Sequence, residues 1–99
     1  LLQIEYKNKT MEKVCTDASV AIKKYNIRMA EKIQQRITEI KASDSVEQML
    51  QYHIGRCHLL KGDLKGLYAM DLIHPFRLIF EKKGDEIQIA KITDITDYH

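Results

Sequence analysis

Leu67-Tyr68-Ala69-Met70-Asp71-Leu72-Ile73-His74-Pro75-Phe76-Arg77-Leu78-Ile79-Phe80-Glu81 sets the architecture of this chain. Both halves are rich in the aliphatic and aromatic residues that suit a pleated, half-buried surface. His74-Pro75 divides them, because proline has no N–H to give a central ladder. The stretch predicts a strand over residues 67–73, a turn, and a second strand over residues 76–81. Side chains alternate across a strand. Phe76, Leu78 and Phe80 therefore share a face that must be covered, while Arg77, Ile79 and Glu81 share the other. A hairpin with one apolar face needs a second layer to bury it.

Lys82-Lys83-Gly84-Asp85 closes the next hairpin, and residues 86–92 read as the last long strand with Ile87 and Ile89 alternating. A tail follows over 93–99. Upstream, residues 57–60 form a candidate strand. Lys61-Gly62-Asp63-Leu64-Lys65-Gly66 is a loop whose two glycines permit positive φ.

The covering layer comes from the N-terminal half. Residues 3–7 alternate as a short strand with Ile4 and Tyr6 on one face. Asn8 or Thr10 caps a helix whose apolar stripe is Met11, Val14, Cys15, Ala18, Ala21, Ile22 and Tyr25. Asn26 suits a break. A second helix carries Ala30, Ile33, Ile37 and Ile40, with Glu31, Lys32, Gln34, Gln35, Arg36 and Glu39 on a solvated face. The tight connection predicts an antiparallel helical hairpin. Ser45 with Gln48 is a capping-box signature for a short helix to about residue 51. The expected fold is α+β, one domain over residues 1–99. Its N-terminal helical hairpin packs on one face of a twisted antiparallel sheet of four to five strands. Pleat alone puts Arg77 on the face away from the hairpin.

Composition narrows the function classes. Ninety-nine residues at 44% hydrophobic and 30% charged make one ordinary globular domain. No apolar run approaches the ~20 residues of a membrane-spanning helix. Residues 1–6 lack the basic-then-apolar pattern of a signal peptide, so the expected compartment is the cytoplasm. Cys15 and Cys57 are expected reduced there. Net charge is +2. Residues 1–42 hold nine basic against five acidic residues, and residues 43–99 hold seven against nine. The half with the chemically interesting residues is thus slightly acidic, the reverse of a protein that holds RNA by bulk electrostatics.

That half contains His58, Lys61, Arg77, Asp97, Tyr98 and His99. Cleaving RNA without a metal requires a base for the ribose 2′-hydroxyl, positive charge for the phosphorus-centred transition state and an acid for the departing 5′-oxygen. Histidine titrates near working pH. The planar fork of arginine matches phosphate oxygens. Lysine adds a point charge, and tyrosine relays a proton or stacks on a base. Each residue also has a plain structural role: His58 at a strand edge, Lys61 in a solvated loop, Arg77 paired with Glu81 or Asp71, Tyr98 as a lid on the sheet, His99 as a frayed end. Cys57 with His53, His58, His74 and His99 shows no paired metal-ligand spacing, so no metal or other cofactor is expected. Cys57 and His58 point to opposite faces if the strand holds, a poor nucleophile–base pair.

The run His58-Leu59-Leu60-Lys61-Gly62-Asp63, then Gly66, Pro75-Phe76-Arg77 and the closing Asp97-Tyr98-His99 resembles the HigB-like toxins of the RelE/ParE superfamily, densely from about Arg56 to the end. Leu59 stands where that family commonly has proline. The resemblance implies the same α+β fold and a ribosome-dependent endoribonuclease that cuts mRNA in the decoding site. It places His58, Lys61, Arg77, Tyr98 and His99, with Asp97, in one concave surface, and implies inhibition by a HigA-like helix-turn-helix antitoxin. Because the ribosome holds the message, a weakly charged domain is no contradiction. ParE-like relatives share the fold as non-enzymatic gyrase inhibitors, generally without a His/Tyr/His set. The basic helical face with Lys23, Lys24, Arg28, Lys32 and Arg36 is open to two roles, contact with ribosomal RNA or acidic antitoxin segments, or plain solubility.

Overall fold

The computed structural model describes residues 1–62 and 66–97. Strands β1 (Gln3–Tyr6), β2 (His58–Leu59), β3 (Leu67–Asp71), β4 (Phe76–Lys83) and β5 (Ile89–Asp97) form one sheet in the order β1-β5-β4-β3-β2. From β2 to β5 every pair is antiparallel, whereas β1 joins β5 in parallel. The sheet is therefore mostly, not wholly, antiparallel. No tight turn links β1 to β5; the helices lie between them, so hairpin geometry does not dictate their direction.

The expected first helix is two, α1 (Lys9–Thr16) and α2 (Ala18–Lys24). Asp17 breaks it by accepting the Ser19 amide at 3.0 Å as the N-cap of α2. Asn8 caps α1 through the Met11 amide at 2.9 Å. Asn26 caps α3 (Ile27–Ala42) through the Met29 amide at 2.8 Å, so α3 starts three residues before Ala30. Ser45 caps α4 (Val46–Gln51) as its motif predicts, accepting the Gln48 amide at 3.0 Å. No helix among the described residues is long and apolar enough to cross a membrane.

Leu78, Phe80, Met70 and Ile92 are fully buried against Met29, Ile33, Ile37 and Ile40 of α3. Tyr68 stacks on Phe80 at 5.3 Å. On the opposite face Leu60, Ala69 and Ile79 form a second, smaller apolar cluster with Leu67. The pleat of β4 falls as its sequence predicts.

Two strand boundaries differ. At the start of β5 the inward position belongs to Gln88, 9% exposed, and Ile87 is 67% exposed. Gln88 is satisfied there: its Oε1 accepts the Val46 amide at 2.8 Å and its Nε2 donates to Glu47 at 2.7 Å. The Val46 amide is one of the unpaired donors of a helix start, so the glutamine replaces a missing partner. Further along, a bulge shifts the register between Ile79 and Phe80, which face Asp94 and Ile92. It lets Ile92 and Ile95, three residues apart, both point inward. Residues 93–97 of the expected tail are thus the second half of β5. Cys15 and Cys57 are unbonded and buried.

Candidate functional site

The sheet face away from the helices carries the candidate residues. His58 on β2 stands opposite Ala69, which stands opposite Ile79. Arg77 stands opposite Asp71 on one side and Thr96 on the other. His58 and Arg77 are therefore two strands and two residues apart on the same face. Strand spacings put their Cα atoms roughly 12 Å apart, a gap two such side chains can span around one phosphodiester.

A chain of polar contacts joins them. The segment before β2 is left-handed at His53 (φ 53°), Gly55 (φ 57°) and Arg56 (φ 54°). Arg56 then reaches β3: its Nε donates to Asp71 Oδ2 at 2.6 Å and its Nη2 to Asp71 Oδ1 at 3.1 Å. Asp71 Oδ1 also lies 3.8 Å from Arg77 Nε. The Arg56 carbonyl is 2.9 Å from His58 Nδ1. Beneath this group Arg36 Nε donates to the Asp71 carbonyl at 2.6 Å and its Nη1 to Glu39 at 2.8 Å. Arg36, only 8% exposed, is not part of a solvated helix face as its spacing suggested; it anchors α3 to the end of β3.

Electrostatics follow the geometry. Burial pushes the Asp71 carboxyl up, but the Arg56 hydrogen bonds and the charges of Arg56, Arg77 and His58 outweigh it and leave it below its ordinary value. The hydrogen bond to Asp71, and then its charge, hold the Arg56 guanidinium above its ordinary value. A hollow of about 50 Å³ lies among Arg56, Asp71, His74 and Arg77. A larger one of about 450 Å³ opens beside it, floored by Leu60, Leu67 and Ile79 and rimmed by Lys7, Lys91, Glu81, Asp94 and Thr96. Its two basic and two acidic side chains balance. That lining suits a neutral ring with donors and acceptors on its edge better than a phosphate.

Lys61 is exposed in the loop after β2. Asp97 ends β5 opposite Phe76, so by pleat it belongs to the helix-bearing face, one position past the Thr96–Arg77 pair. Tyr98 and His99 lie outside the described residues. Of the two structural partners open to Arg77, Asp71 is the one it pairs with. Sequence reasoning missed Arg56 as a site residue and gave Asp71 only a structural role. The one available signal was parity: Leu67, Ala69 and Asp71 alternate on the face of Arg77.

The sequence matches no protein-family model and no curated protein. The fold matches solved toxins along their whole length. The YoeB/ParE toxin from Agrobacterium tumefaciens superposes with a TM-score of 0.67 at 16% identity, covering 99% of this chain and 100% of that one. A chain of the YoeB-YefM complex from Staphylococcus aureus gives 0.60 at 25% identity, covering 100% and 98%. The YoeB dimer from the same organism gives 0.62 at 24%, covering 99% and 97%.

Proposed function

We propose that this chain is the toxin of a type II toxin–antitoxin pair, a HigB-like, ribosome-dependent endoribonuclease that cuts mRNA in the decoding site. The observation that carries this is the open sheet face, which His58 and Arg77 share, linked through Arg56 and Asp71, on a fold shared with YoeB/ParE toxins. Arg77 stabilises charge on the phosphorane, with Lys61 in support. His58, Tyr98 and His99 supply base and acid, with Asp97 alongside. The 2′-oxygen loses its proton and attacks phosphorus, and the 5′-oxygen leaves with a proton from the acid. The products are a 2′,3′-cyclic phosphate and a 5′-hydroxyl. An unstacked base of the message fits the apolar-floored hollow beside Arg77. The partners are the ribosome, mRNA and a cognate HigA-like helix-turn-helix antitoxin. The compartment is the cytoplasm.

The test is purified chain, ribosomes and message, with cuts mapped by primer extension. Ribosome-dependent cuts that vanish in His99→Ala are expected; absent cutting, or full cutting by that variant, overturns the assignment. The Agrobacterium neighbour's YoeB/ParE description supports a second reading, gyrase inhibition without catalysis. Loss of supercoiling activity in a gyrase assay, with no RNA cut, would select it.

A further inference from the structure

Arg56 combines two features that need a common cause. It is a non-glycine residue held left-handed at φ 54°. Such strain persists only where surroundings enforce it, and it clusters at functional positions. Its ion pair with Asp71 is 60% and 35% exposed at the two side chains. A pair so exposed adds little to global stability. The arrangement instead has a local consequence, because it holds the Arg56 carbonyl 2.9 Å from His58 Nδ1. A carbonyl oxygen only accepts, so Nδ1 carries the hydrogen at this contact. In the neutral ring Nε2 is then bare and able to take a proton.

Asp71 sits at the centre of this device. Both of its carboxylate oxygens hold the Arg56 fork. Its backbone carbonyl is fixed from below by buried Arg36. Its contact with Arg77 runs through Nε at 3.8 Å, too long for a hydrogen bond, so it orients that guanidinium without consuming a donor.

We infer that Asp71 is a positioning residue: acting through Arg56, it locks His58 in the Nδ1–H tautomer and makes Nε2 the base, while aiming Arg77 at the phosphate. This rests on the ribonuclease reading and sharpens it by choosing the base. Nε2 receives the 2′-hydroxyl proton as the 2′-oxygen bonds to phosphorus, and the imidazolium keeps Nδ1–H on the Arg56 carbonyl. The 5′-oxygen departs with a proton from an acid other than His58.

The test uses the intact chain, ¹⁵N-labelled, with long-range ¹H–¹⁵N spectra of His58 recorded where the ring is neutral. Wild type is expected to show Nδ1–H as the dominant tautomer. Asp71→Asn keeps the shape and removes the charge, and Arg56→Gly keeps the carbonyl and the left-handed backbone but removes the fork. Both are expected to shift His58 toward Nε2–H. In ribosome assays the same variants lose kcat by about 10²-fold, short of the roughly 10⁴ that a wrong tautomer costs in a catalytic triad, with KM little changed. Thermal midpoints stay close to wild type, which separates positioning from a folding defect. An unchanged tautomer in Asp71→Asn overturns the inference, whatever the activity. Wild type with the Nδ1–H tautomer, a shift in both variants and no RNA cleavage would leave the positioning standing and overturn the ribonuclease reading instead.

Discussion

Gly55→Ala is expected to be far more damaging than Gly62→Ala, although both glycines are left-handed, at φ 57° and 73°. A Cβ residue in that region costs roughly 1–2 kcal/mol at either site. The difference lies in what the methyl meets. At Gly62 no atom of the described residues beyond its chain neighbours lies within 4 Å of that methyl, so the backbone cost is the effect expected. At Gly55 the methyl falls 2.7 Å from Arg36 Nε, 2.8 Å from its Cδ and 3.0 Å from its Cζ. Arg36 cannot simply swing away, since it is buried and donates to the Asp71 carbonyl and to Glu39. Displacing a buried charged donor from its partners costs about 1.5–3 kcal/mol more. The sum, about 2.5–5 kcal/mol, is a large share of the roughly 5–15 kcal/mol that hold a domain together. For a chain of this size it lowers the melting temperature by about 10 °C or more. Urea unfolding followed by circular dichroism measures both variants. Repeating Gly55→Ala in an Arg36→Ala background isolates the clash, where its cost should fall to that of Gly62→Ala. Equal costs for the two glycines in the wild-type background, within about 0.5 kcal/mol, would refute the reasoning.

Arg77→Lys keeps the charge but loses the planar fork, and is expected to reduce ribosome-dependent cleavage by about 10²–10³-fold with the fold intact; near-normal cutting would remove Arg77 from the chemistry. Burial pushes the Cys57 thiol up to about 11 and Cys15 to about 12, so neither should react with a thiol reagent at pH 8 until urea unfolds the chain. Hydrogen bonds from Lys82 and Gln88 hold the Glu47 carboxyl below its ordinary 4.5, and Asp71 stays below 3.8. Groups depressed on folding contribute stability that is complete above their unfolded values and lost as pH falls through the folded ones. The urea midpoint should therefore be insensitive to these groups above about pH 5 and decline below about pH 4. Glu47→Gln should flatten that decline, and an unaltered acid slope would show the pair to be fully screened.

The hairpin over β3 and β4 was legible because its residues obey one period, and period two leaves a single way to place Arg77. Where the period fails, the sequence is ambiguous. Asp17 lies within an unbroken apolar stripe, so its capping bond splits a helix that spacing alone would continue. Ile92 and Ile95 are three apart, which fits neither face of a regular strand until the bulge is known. Gln88 looks like a surface residue until the Val46 amide across the fold demands an acceptor. Arg36 and Arg56 were invisible for the same reason: their partners stand 35 and 15 residues away. Burial of one and backbone handedness of the other depend on contacts no local pattern encodes. Pleat also sets Asp97 on the Phe76 side, away from the face of Arg77 with which the resemblance grouped it.

On the ribonuclease reading, the pairing of charges also bears on how a slightly acidic half-chain would face RNA and why it would rely on the ribosome. Other cations on the open face are committed or distant: Arg56 is held by Asp71, Lys91 stands between Glu5 and Glu81 in the sheet register, and Lys83 lies six residues along β4 from Arg77. Among the described residues that leaves Arg77, the exposed Lys61, and Lys7 at the rim of the larger hollow as the main phosphate contacts near the site. Each phosphate neutralised on a single strand contributes about 0.7 to the slope of log affinity against log salt. Three contacts give roughly −2.1, a weak dependence that goes with weak binding. Titrating a fluorescent single-stranded RNA at several salt concentrations should return that slope, falling to about −1.4 in Arg77→Ala. A slope steeper than about −4 would mean a broad basic surface binds the strand, drawing in Lys23, Lys24, Arg28 and Lys32. The message would then be held by the toxin itself, and the dependence on the ribosome would lose its physical basis.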